Sequence, residues 1–295
     1  MIEIPKFFKT MLLEQYEEDT VNMIIQGLHE KKIVTLRVNT IKSNKDEVKQ
    51  ELSKENINFK DVNWYKDALI IENVREEQIQ KLEIYKQGKI YLQSLSSMIP
   101  PIILDPKPGE NILDMAAAPG GKTTQMAAIS DNKAFITACE RNKIRGEKLK
   151  YNLQKQGIAS VNVMLEDARN LSDFFSFDKI LLDAPCSGSG TDNVFKKNFT
   201  KELIQKSSKT QEILLKKALK ILKPGGEMIY STCSILQSEN EKILEKSLKN
   251  TSAKLVPVKL SGEILCLPSK IKEVAVIAPN EMFEGFFVAK IVKQK

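Results

Sequence analysis

The strongest constraint on the fold comes from the chain after Pro106, where short apolar runs alternate with longer amphipathic segments. In those segments apolar residues recur every three or four positions, as on one face of a helix. Buried strands separated by helices are typical of parallel β-α-β units in a doubly wound sheet, so we predict an α/β fold here. The candidate strands begin at Asn111, Ala134, Val161, Asp178, Glu227 and Phe286, and the candidate helices lie around Lys122 and over residues 142–156, 201–222 and 238–248.

Residues 1–92 show a smaller pattern of the same kind. A strand-like run at Val34 precedes a helical segment, and a second run at Ala68 precedes helical residues from Arg75 and a strand near Lys89. We therefore predict a small N-terminal α/β domain at residues 1–92 and a larger domain at residues 93–295. Many RNA-binding modules have this architecture, but no aromatic RNA-binding signature is present. A packing attachment explains the small domain equally well.

The composition is that of a soluble globular protein. Hydrophobic residues make up 42% and charged residues 28% of the chain, and no apolar run reaches the roughly 18 residues of a membrane-spanning helix. The N-terminus has no basic start leading into an apolar stretch. We expect a cytoplasmic protein without a membrane partner. The net charge of +7 favours a polyanionic partner, although a lysine-rich genome gives the same excess.

The four cysteines are far apart in sequence and form no CxxC pair. Neither a metal site nor a disulfide framework is therefore indicated, and we expect free thiols in a reducing compartment. Cys139 and Cys266 are expected to be buried and inert.

The segment Asp114 to Thr124 (DMAAAPGGKTT) runs from a predicted strand through a glycine turn into a predicted helix. A phosphate-binding P-loop requires a glycine where this chain has Ala116, and the GxGxxG pattern of dinucleotide sites is absent. S-adenosylmethionine carries ribose and adenine but no pyrophosphate, so a shorter turn suffices. We therefore expect this cofactor.

Two acidic residues end the next two predicted strands. Glu140 follows the second strand of the larger domain and Asp167 follows the third. Carboxyl ends of parallel strands share one sheet edge, where these acids can accept hydrogen bonds from the ribose hydroxyls and the adenine. The alternative is that each acid caps the following helix.

Two cysteines follow the next two predicted strands. Cys186 lies in Asp183-Ala-Pro-Cys-Ser-Gly and Cys233 in Ser231-Thr-Cys-Ser, so both thiols are expected at one crevice. A thiolate that attacks carbon 6 of cytosine makes carbon 5 nucleophilic, and Asp183 can stabilise the protonated ring nitrogen 3. His29, the single histidine, is expected at the surface and not as a base.

These motifs resemble the Nop/Sun family of RNA cytosine-5 methyltransferases, which includes the ribosomal RNA small subunit methyltransferases B and F. The matching segments occur in the order and spacing of the family. They are LRVNTIK at Leu36, AAAPGGKTT at Ala116, DAPCSGSG at Asp183, YSTCSILQSENE at Tyr230 and EGFFVAK at Glu284. One departure is KKNFT from Lys196, where the family often has Arg-Asn-Pro.

The resemblance implies a Rossmann-like, seven-stranded S-adenosylmethionine-dependent methyltransferase sheet with a small N-terminal α/β domain. It implies Cys233 as the nucleophile and Cys186 as the thiol that assists release. The Pro-Cys nucleophile of DNA cytosine methyltransferases would reverse these roles, but the Ser-Thr-Cys match favours Cys233. The implied cofactor contacts are Ala116, Ala117, Ala118, Pro119, Gly120, Gly121, Lys122, Glu140, Arg145, Asp167 and Asp183.

Residues 193–223 carry nine lysines against Glu202 and Glu212, an excess of +7. Such a segment can bind RNA phosphates, although a solvated helix face explains it as often. We predict a monomeric RNA (cytosine-5) methyltransferase that acts on ribosomal RNA through a covalent cysteine–cytosine adduct. The alternatives are a transfer RNA substrate, a non-catalytic RNA-binding ribosome-assembly factor, and a small-molecule methyltransferase.

Overall fold

The computed structural model describes residues 3–295, which divide into two compact units. The first unit combines the N-terminal residues up to Lys32 with Ala168–Lys295, and the second unit is Ile33–Asp167. The helices are α1 (Lys6–Leu13), α2 (Glu18–His29), α3 (Lys45–Lys54), α4 (Glu76–Ile79), α5 (Glu83–Lys86), α6 (Leu95–Leu104), α7 (Gly121–Ile129), α8 (Lys143–Gln156), α9 (Lys201–Ile221) and α10 (Glu241–Leu248). The strands are β1 (Val34–Val38), β2 (Phe59–Asp61), β3 (Ala68–Ile71), β4 (Ile90–Leu92), β5 (Asn111–Asp114), β6 (Phe135–Cys139), β7 (Val161–Met164), β8 (Phe177–Asp183), β9 (Leu222–Thr232), β10 (Ala253–Val256), β11 (Cys266–Leu267), β12 (Ala275–Ile277) and β13 (Phe286–Lys293).

The second unit begins with an antiparallel sheet in the order β2-β3-β1-β4. Its apolar residues pack against α3 and the short helices α4 and α5, with Leu36, Leu52 and Leu69 fully buried. The predicted single helix from Arg75 is wrong in one respect, since the segment forms α4 and α5 with a break between them. Both are single turns, too short to be stable without the sheet beneath them.

Helix α6 follows this sheet and contains Pro100 and Pro101 in its interior. Proline lacks the N–H that would bond four residues back, so the carbonyl of Ser97 loses its helical partner. The side-chain amide of Gln93 donates to that carbonyl at 3.2 Å. This substitute hydrogen bond lets the helix continue through the prolines.

Three parallel strands complete the second unit in the order β5-β6-β7, with α7 and α8 as the connecting helices. Asp114 pairs with Ala138, and Cys139 with Met164, so these strands end at a common edge. The predicted α/β alternation is confirmed for this part of the chain.

In the first unit β8 and β9 are parallel, and Asp183 is in register with Ser231. Strand β13 lies antiparallel to β9, and its other edge pairs with β12 and β10. Helix α1 packs on the start of α9 through an edge-to-face contact of Phe8 with Phe199, at 5.2 Å between ring centroids. Among residues 3–295 no helix has both the length and the apolarity to cross a membrane.

Candidate active site

The loop after β5 is shaped by a buried carboxylate. Asp114 is 1% exposed and accepts a hydrogen bond from the hydroxyl of Thr123 at 2.7 Å. Its other oxygen accepts a 3.4 Å hydrogen bond from the amide of Ala116. The strand end is thereby tied to the first turn of α7.

The carbonyls of this loop are held by side chains of α8. Arg145 donates to the carbonyl of Ala118 at 2.6 Å, and Asn152 donates to that of Pro119 at 2.8 Å. Gly120 enters α7 with φ 110°, and a Cβ there would lie 3.0 Å from the Leu149 side chain. The carbonyls therefore face α8, and the start of α7 presents the N–H groups that a helix leaves for an anion.

The ammonium of Lys122 is 2.7 Å from the hydroxyl of Ser97. The amide of Ala117 donates to the carbonyl of Cys139 at 2.9 Å, which fixes the loop to β6. All seven predicted loop residues, 116–122, thus lie together at the carboxyl edge of β5 and β6.

Glu140 lies at the same edge and is 4% exposed. Its carboxylate accepts from the amide of Asn142 at 2.8 Å and lies 3.5 Å from the Arg145 guanidinium. These contacts use about two of the four acceptor positions of a carboxylate. The side chain of Asn142 accepts from the amide of Arg145 at 3.1 Å, so Asn142 and not Glu140 caps α8.

Asp167 follows β7 in the same unit. Its carboxylate lies 4.0 Å from the guanidinium of Arg141, and its side chain is 18% exposed. The second unit therefore brings Glu140, Arg145 and Asp167 to the edge that carries the loop.

The first unit brings the other predicted residues together. The Sγ atoms of Cys186 and Cys233 lie 2.8 Å apart, and both thiols are free. Asp183 accepts a 2.8 Å hydrogen bond from the hydroxyl of Ser231. The parallel pairing of β8 with β9 therefore places the two cysteine loops side by side.

A contact between two glycines fixes the first cysteine loop. The amide of Gly190 donates to the carbonyl of Cys233 at 3.0 Å, and the amide of Gly285 donates to the carbonyl of Gly190 at 2.7 Å. A Cβ on Gly190 would lie 1.9 Å from the carbonyl oxygen of Gly285, so no larger residue fits at this crossing.

The Cys186 thiol is disfavoured as a thiolate by its surroundings. The hydrogen bond with Cys233, then burial, then the negative charges of Cys233 and Glu239 raise the pKa of Cys186 well above its usual value.

The other cysteines differ from each other. Cys139 is buried as expected, and burial, together with the charges of Asp114 and Glu166, raises its pKa to about 12. Cys266 is exposed, so the expectation that it is buried is wrong. It lies on β11, a strand of two residues in which Leu267 is buried and Cys266 is exposed. His29 is half-buried and lines a surface pocket, with its ring 4.6 Å from that of Phe195.

The sequence analysis missed polar residues that connect the cysteine loops. Glu239 is fully buried, and Ser187, Ser234 and Gln211 donate hydrogen bonds to it. The available signal was its position inside YSTCSILQSENE, where its neighbours Ser238 and Asn240 are also polar. A single charged letter does not show burial, so this signal was weak.

The lysine-rich segment is partly neutralised. Five of its nine lysines form ion pairs with acids. The other four lysines carry positive charge that no ion pair within residues 3–295 offsets. The pairs are Lys196 with Asp192, Lys216 with Glu212, Lys217 and Lys220 with Asp173, and Lys223 with Asp178. Among the described residues no acid lies within 4.0 Å of the ammonium groups of Lys197, Lys201, Lys206 and Lys209.

Two parts of the chain match known protein families. Residues 101–292, more than half of the chain, match the family described as 16S rRNA methyltransferase RsmB/F. Residues 4–76 match the ferredoxin-like domain of RsmF/B-like methyltransferases.

Individual relatives agree with this match. The chain is 36% identical over 279 residues to the tRNA (cytosine(49)-C(5))-methyltransferase of Pyrococcus abyssi, covering 88% of each protein. It is 37% identical over 217 residues to ribosomal RNA small subunit methyltransferase F of Shewanella amazonensis, covering 71% of this chain and 46% of that protein. The chain thus spans about half the length of this ribosomal RNA relative.

A solved structure supports the fold directly. The methyltransferase homologue protein from Pyrococcus horikoshii superposes with a TM-score of 0.81 at 33% identity, covering 98% of this chain and 100% of that one. The expected α/β fold with a Rossmann-like sheet and the expected class, an S-adenosylmethionine-dependent methyltransferase, are confirmed. The chain belongs to the 16S rRNA methyltransferase RsmB/F family.

Proposed function

We propose that the chain transfers a methyl group from S-adenosylmethionine to carbon 5 of a cytosine in ribosomal RNA, through a covalent cysteine–cytosine adduct. The observation that carries this proposal is the pair of free thiols, Cys186 and Cys233, with sulfurs 2.8 Å apart. A methyltransferase that acts on an oxygen or nitrogen nucleophile has no need of two adjacent thiols, whereas carbon 5 of cytosine requires activation at carbon 6.

The polar groups of the second unit fit S-adenosylmethionine. The carboxylates of Glu140 and Asp167 would accept hydrogen bonds from the ribose hydroxyls and the adenine. The backbone amides of Gly121 and Lys122 would donate to the methionine carboxylate. Arg145 fixes both the loop carbonyl of Ala118 and the carboxylate of Glu140. The remaining predicted contacts are the loop residues Ala116, Ala117, Pro119 and Gly120, together with Asp183. When bound, S-adenosylmethionine supplies an electrophilic methyl group.

Cys233 is the nucleophile in this mechanism. The Ser-Thr-Cys motif favours Cys233 as the attacking thiolate, which forms a bond to carbon 6 of the flipped cytosine. Ring nitrogen 3 takes up a proton from solvent as the electrons move toward it, and the Asp183 carboxylate accepts the resulting N–H. Carbon 5 is then an enamine carbon and is nucleophilic.

Release reverses the first step. A base removes the proton from the methylated carbon 5, its electrons form the 5,6 double bond, and the carbon 6–sulfur bond breaks. Cys233 departs as a thiolate, and the S–H of Cys186 donates to it. Nitrogen 3 returns its proton to solvent. The role of Cys186 is therefore to stabilise the leaving sulfur.

The unpaired lysines support an RNA substrate. Lys197, Lys201, Lys206 and Lys209 follow the Cys186 loop in sequence and carry charge available to phosphates. We assign residues 1–92 as a small RNA-binding-like domain and residues 93–295 as the catalytic domain. The four-stranded antiparallel sheet with flanking helices is an architecture used by RNA-binding modules.

A transfer RNA is the second candidate substrate. The chain covers 88% of the transfer RNA methyltransferase of Pyrococcus abyssi but 46% of the ribosomal RNA relative from Shewanella amazonensis. The two relatives have similar identity to this chain, 36% and 37%, so a transfer RNA substrate is compatible with the same thiol chemistry.

We infer that the enzyme acts as a cytoplasmic monomer. One chain carries both thiols and all the named acids, so the site needs no second copy. The mechanism requires a reduced Cys233, which a reducing compartment provides.

The test is transfer of labelled methyl from S-adenosylmethionine to total RNA, separated into ribosomal and transfer fractions, with identification of the nucleoside by mass spectrometry. We expect 5-methylcytosine in the ribosomal fraction. Label in the transfer fraction alone selects the second candidate. Cofactor binding without labelled RNA would overturn the proposal in favour of an assembly factor or a small-molecule enzyme.

A further inference from the structure

A buried carboxylate joins the two cysteine loops. Glu239 is 0% exposed. One of its oxygens accepts from the amide of Ser187 at 2.8 Å, and the other accepts from the hydroxyls of Ser187 at 2.5 Å and Ser234 at 2.7 Å. Ser187 directly follows Cys186 and Ser234 directly follows Cys233, so one side chain holds the neighbours of both thiols.

Gln211 of α9 completes this cluster. Its side-chain amide donates to the carboxylate of Glu239 at 3.4 Å and to the carbonyl of Pro185 at 3.0 Å. The residue before Cys186 is therefore held as well as the residue after it. Glu239 has four donors, which matches the acceptor capacity of an ionised carboxylate.

The hydrogen-bond directions around Ser234 agree with an ionised Glu239. The hydroxyl of Ser234 gives its single proton to the carboxylate, and it accepts from the amide of Leu236 at 3.2 Å. The hydroxyl of Ser189, 2.7 Å away, must then donate to Ser234, while it accepts from the amide of Ile235 at 3.0 Å. Every hydroxyl in the cluster has one consistent direction.

The charge of Glu239 acts on one thiol in particular. Burial raises the pKa of Glu239, and the hydrogen bonds from Ser187, Ser234 and Gln211 lower it. Among the described residues no cation lies within 4.0 Å of this carboxylate, so its negative charge is not cancelled locally. This charge is one of the causes that raise the pKa of Cys186.

We propose that Glu239 is a positioning residue for methyl transfer: it fixes the spacing of the two sulfurs and places a buried negative charge close to Cys186. The proposal rests on the function proposed above, in which both thiols take part. In this proposal Glu239 touches neither the RNA nor the cofactor. It acts through its hydrogen bonds to the neighbours of both cysteines and through the electrostatic effect of its charge on Cys186.

The main variant is Glu239→Gln, which keeps the size of the side chain and removes the charge. Its amide can face the hydroxyls of Ser187 and Ser234, which can rotate to accept from it. The matched control is Glu241→Gln. Glu241 is also a buried acid (4% exposed), but it accepts from Ser269 at 2.9 Å and makes no contact with a cysteine loop.

The experiment measures alkylation of Cys186 and Cys233 by iodoacetamide from pH 6 to pH 10 on the full chain, with each cysteine followed by peptide mass spectrometry. We expect Glu239→Gln to shift the Cys186 profile to lower pH by about half a unit or more, which is roughly a threefold gain in thiolate at neutral pH. Glu241→Gln should leave the profile unchanged. A well-folded Glu239→Gln protein with the wild-type profile would overturn the proposal.

Two further measurements keep the proposal testable. The wild-type profile alone must show Cys186 reacting at higher pH than a free cysteine thiol, and a profile at or below that of free cysteine overturns the proposal even if the variant does not fold. In methyl transfer, Glu239→Gln should lower kcat about tenfold or more with the KM for S-adenosylmethionine unchanged. Alkylation needs neither RNA nor cofactor, so failure of the proposed activity is distinguishable from failure of this inference.

Discussion

The cofactor loop and the cysteine loops follow strands of the same kind but are held in different ways. Residues 116–122 are tied to the buried Asp114 at the strand end, and their carbonyls are held from outside by Asn152 and by Arg145, whose side chain is 56% exposed. The cysteine loops are anchored from inside, by the buried Glu239 and the crossing of Gly190 with Gly285. A binding loop tolerates small shifts, whereas a thiol that stabilises the sulfur leaving beside it requires fixed spacing.

The largest expected effect comes from Cys233→Ala. Removal of the nucleophile should lower RNA methylation by at least about 10³-fold. Cofactor affinity, measured by isothermal titration calorimetry, should be unchanged because Cys233 is not among the proposed cofactor contacts. Cys139→Ala, at another strand end, is the control and should retain activity. Full loss in Cys139→Ala with activity in Cys233→Ala would break the assignment.

The next effect is qualitative. Cys186→Ala should accumulate a covalent protein–RNA adduct, because the departing Cys233 loses the thiol that stabilises it. Denaturing gel electrophoresis after incubation with RNA and S-adenosylmethionine detects the adduct as a slower band. The double variant Cys186→Ala, Cys233→Ala should show none. An adduct in Cys233→Ala alone would reverse the two roles.

Glu140→Ala tests the cofactor side of the comparison. Loss of a carboxylate that accepts from the ribose should weaken S-adenosylmethionine binding about 10- to 100-fold, the usual cost of a hydrogen bond to a charged group. Alkylation of Cys186 and Cys233 should keep its wild-type pH profile. Glu147→Ala, on the exposed face of α8, is the control. A changed thiol profile in Glu140→Ala would show that the two regions are not independent.

The smallest effect is expected from Asn152→Ala. Its hydrogen bond to Pro119 is exposed, and loss of such a bond costs about 0.5–1 kcal/mol, or roughly two- to fivefold in cofactor affinity. Thermal denaturation should show little change. A loss of cofactor affinity as large as that of Glu140→Ala would show that residues 116–122 depend on their anchoring hydrogen bonds as strongly as the cysteine loops do.

The sequence predicted those features that depend on local pattern. Parallel strands that end in Asp114, Cys139 and Asp183 were recognisable from buried runs between amphipathic helices, and strand ends located the acids and both cysteines, whereas Arg145 came from the family resemblance. The pattern did not predict α6, because Pro100 and Pro101 signal a break, and the hydrogen bond from the Gln93 side chain to the carbonyl of Ser97 is not visible in a pattern of apolar residues.

Long-range pairing explains the other differences. The sequence does not show how many lysines of residues 193–223 are unpaired, because Lys217 and Lys220 form ion pairs with Asp173, which lies outside the segment. Glu239 was overlooked because its hydrogen-bond partners are on two other loops and on α9. Partners of this kind are determined by tertiary contacts that no window of sequence contains.

The crossing of Gly190 with Gly285 has a consequence for synthesis of the protein. During translation both cysteines, and every residue assigned to the cofactor, emerge before Gly285 does. Until that residue and β13 have been made, the Cys186 loop lacks the amide that holds Gly190, so we expect a nascent chain that already bears all the reactive groups to be inactive. We expect proteolysis at the same point to inactivate a finished enzyme without removing any group that reacts.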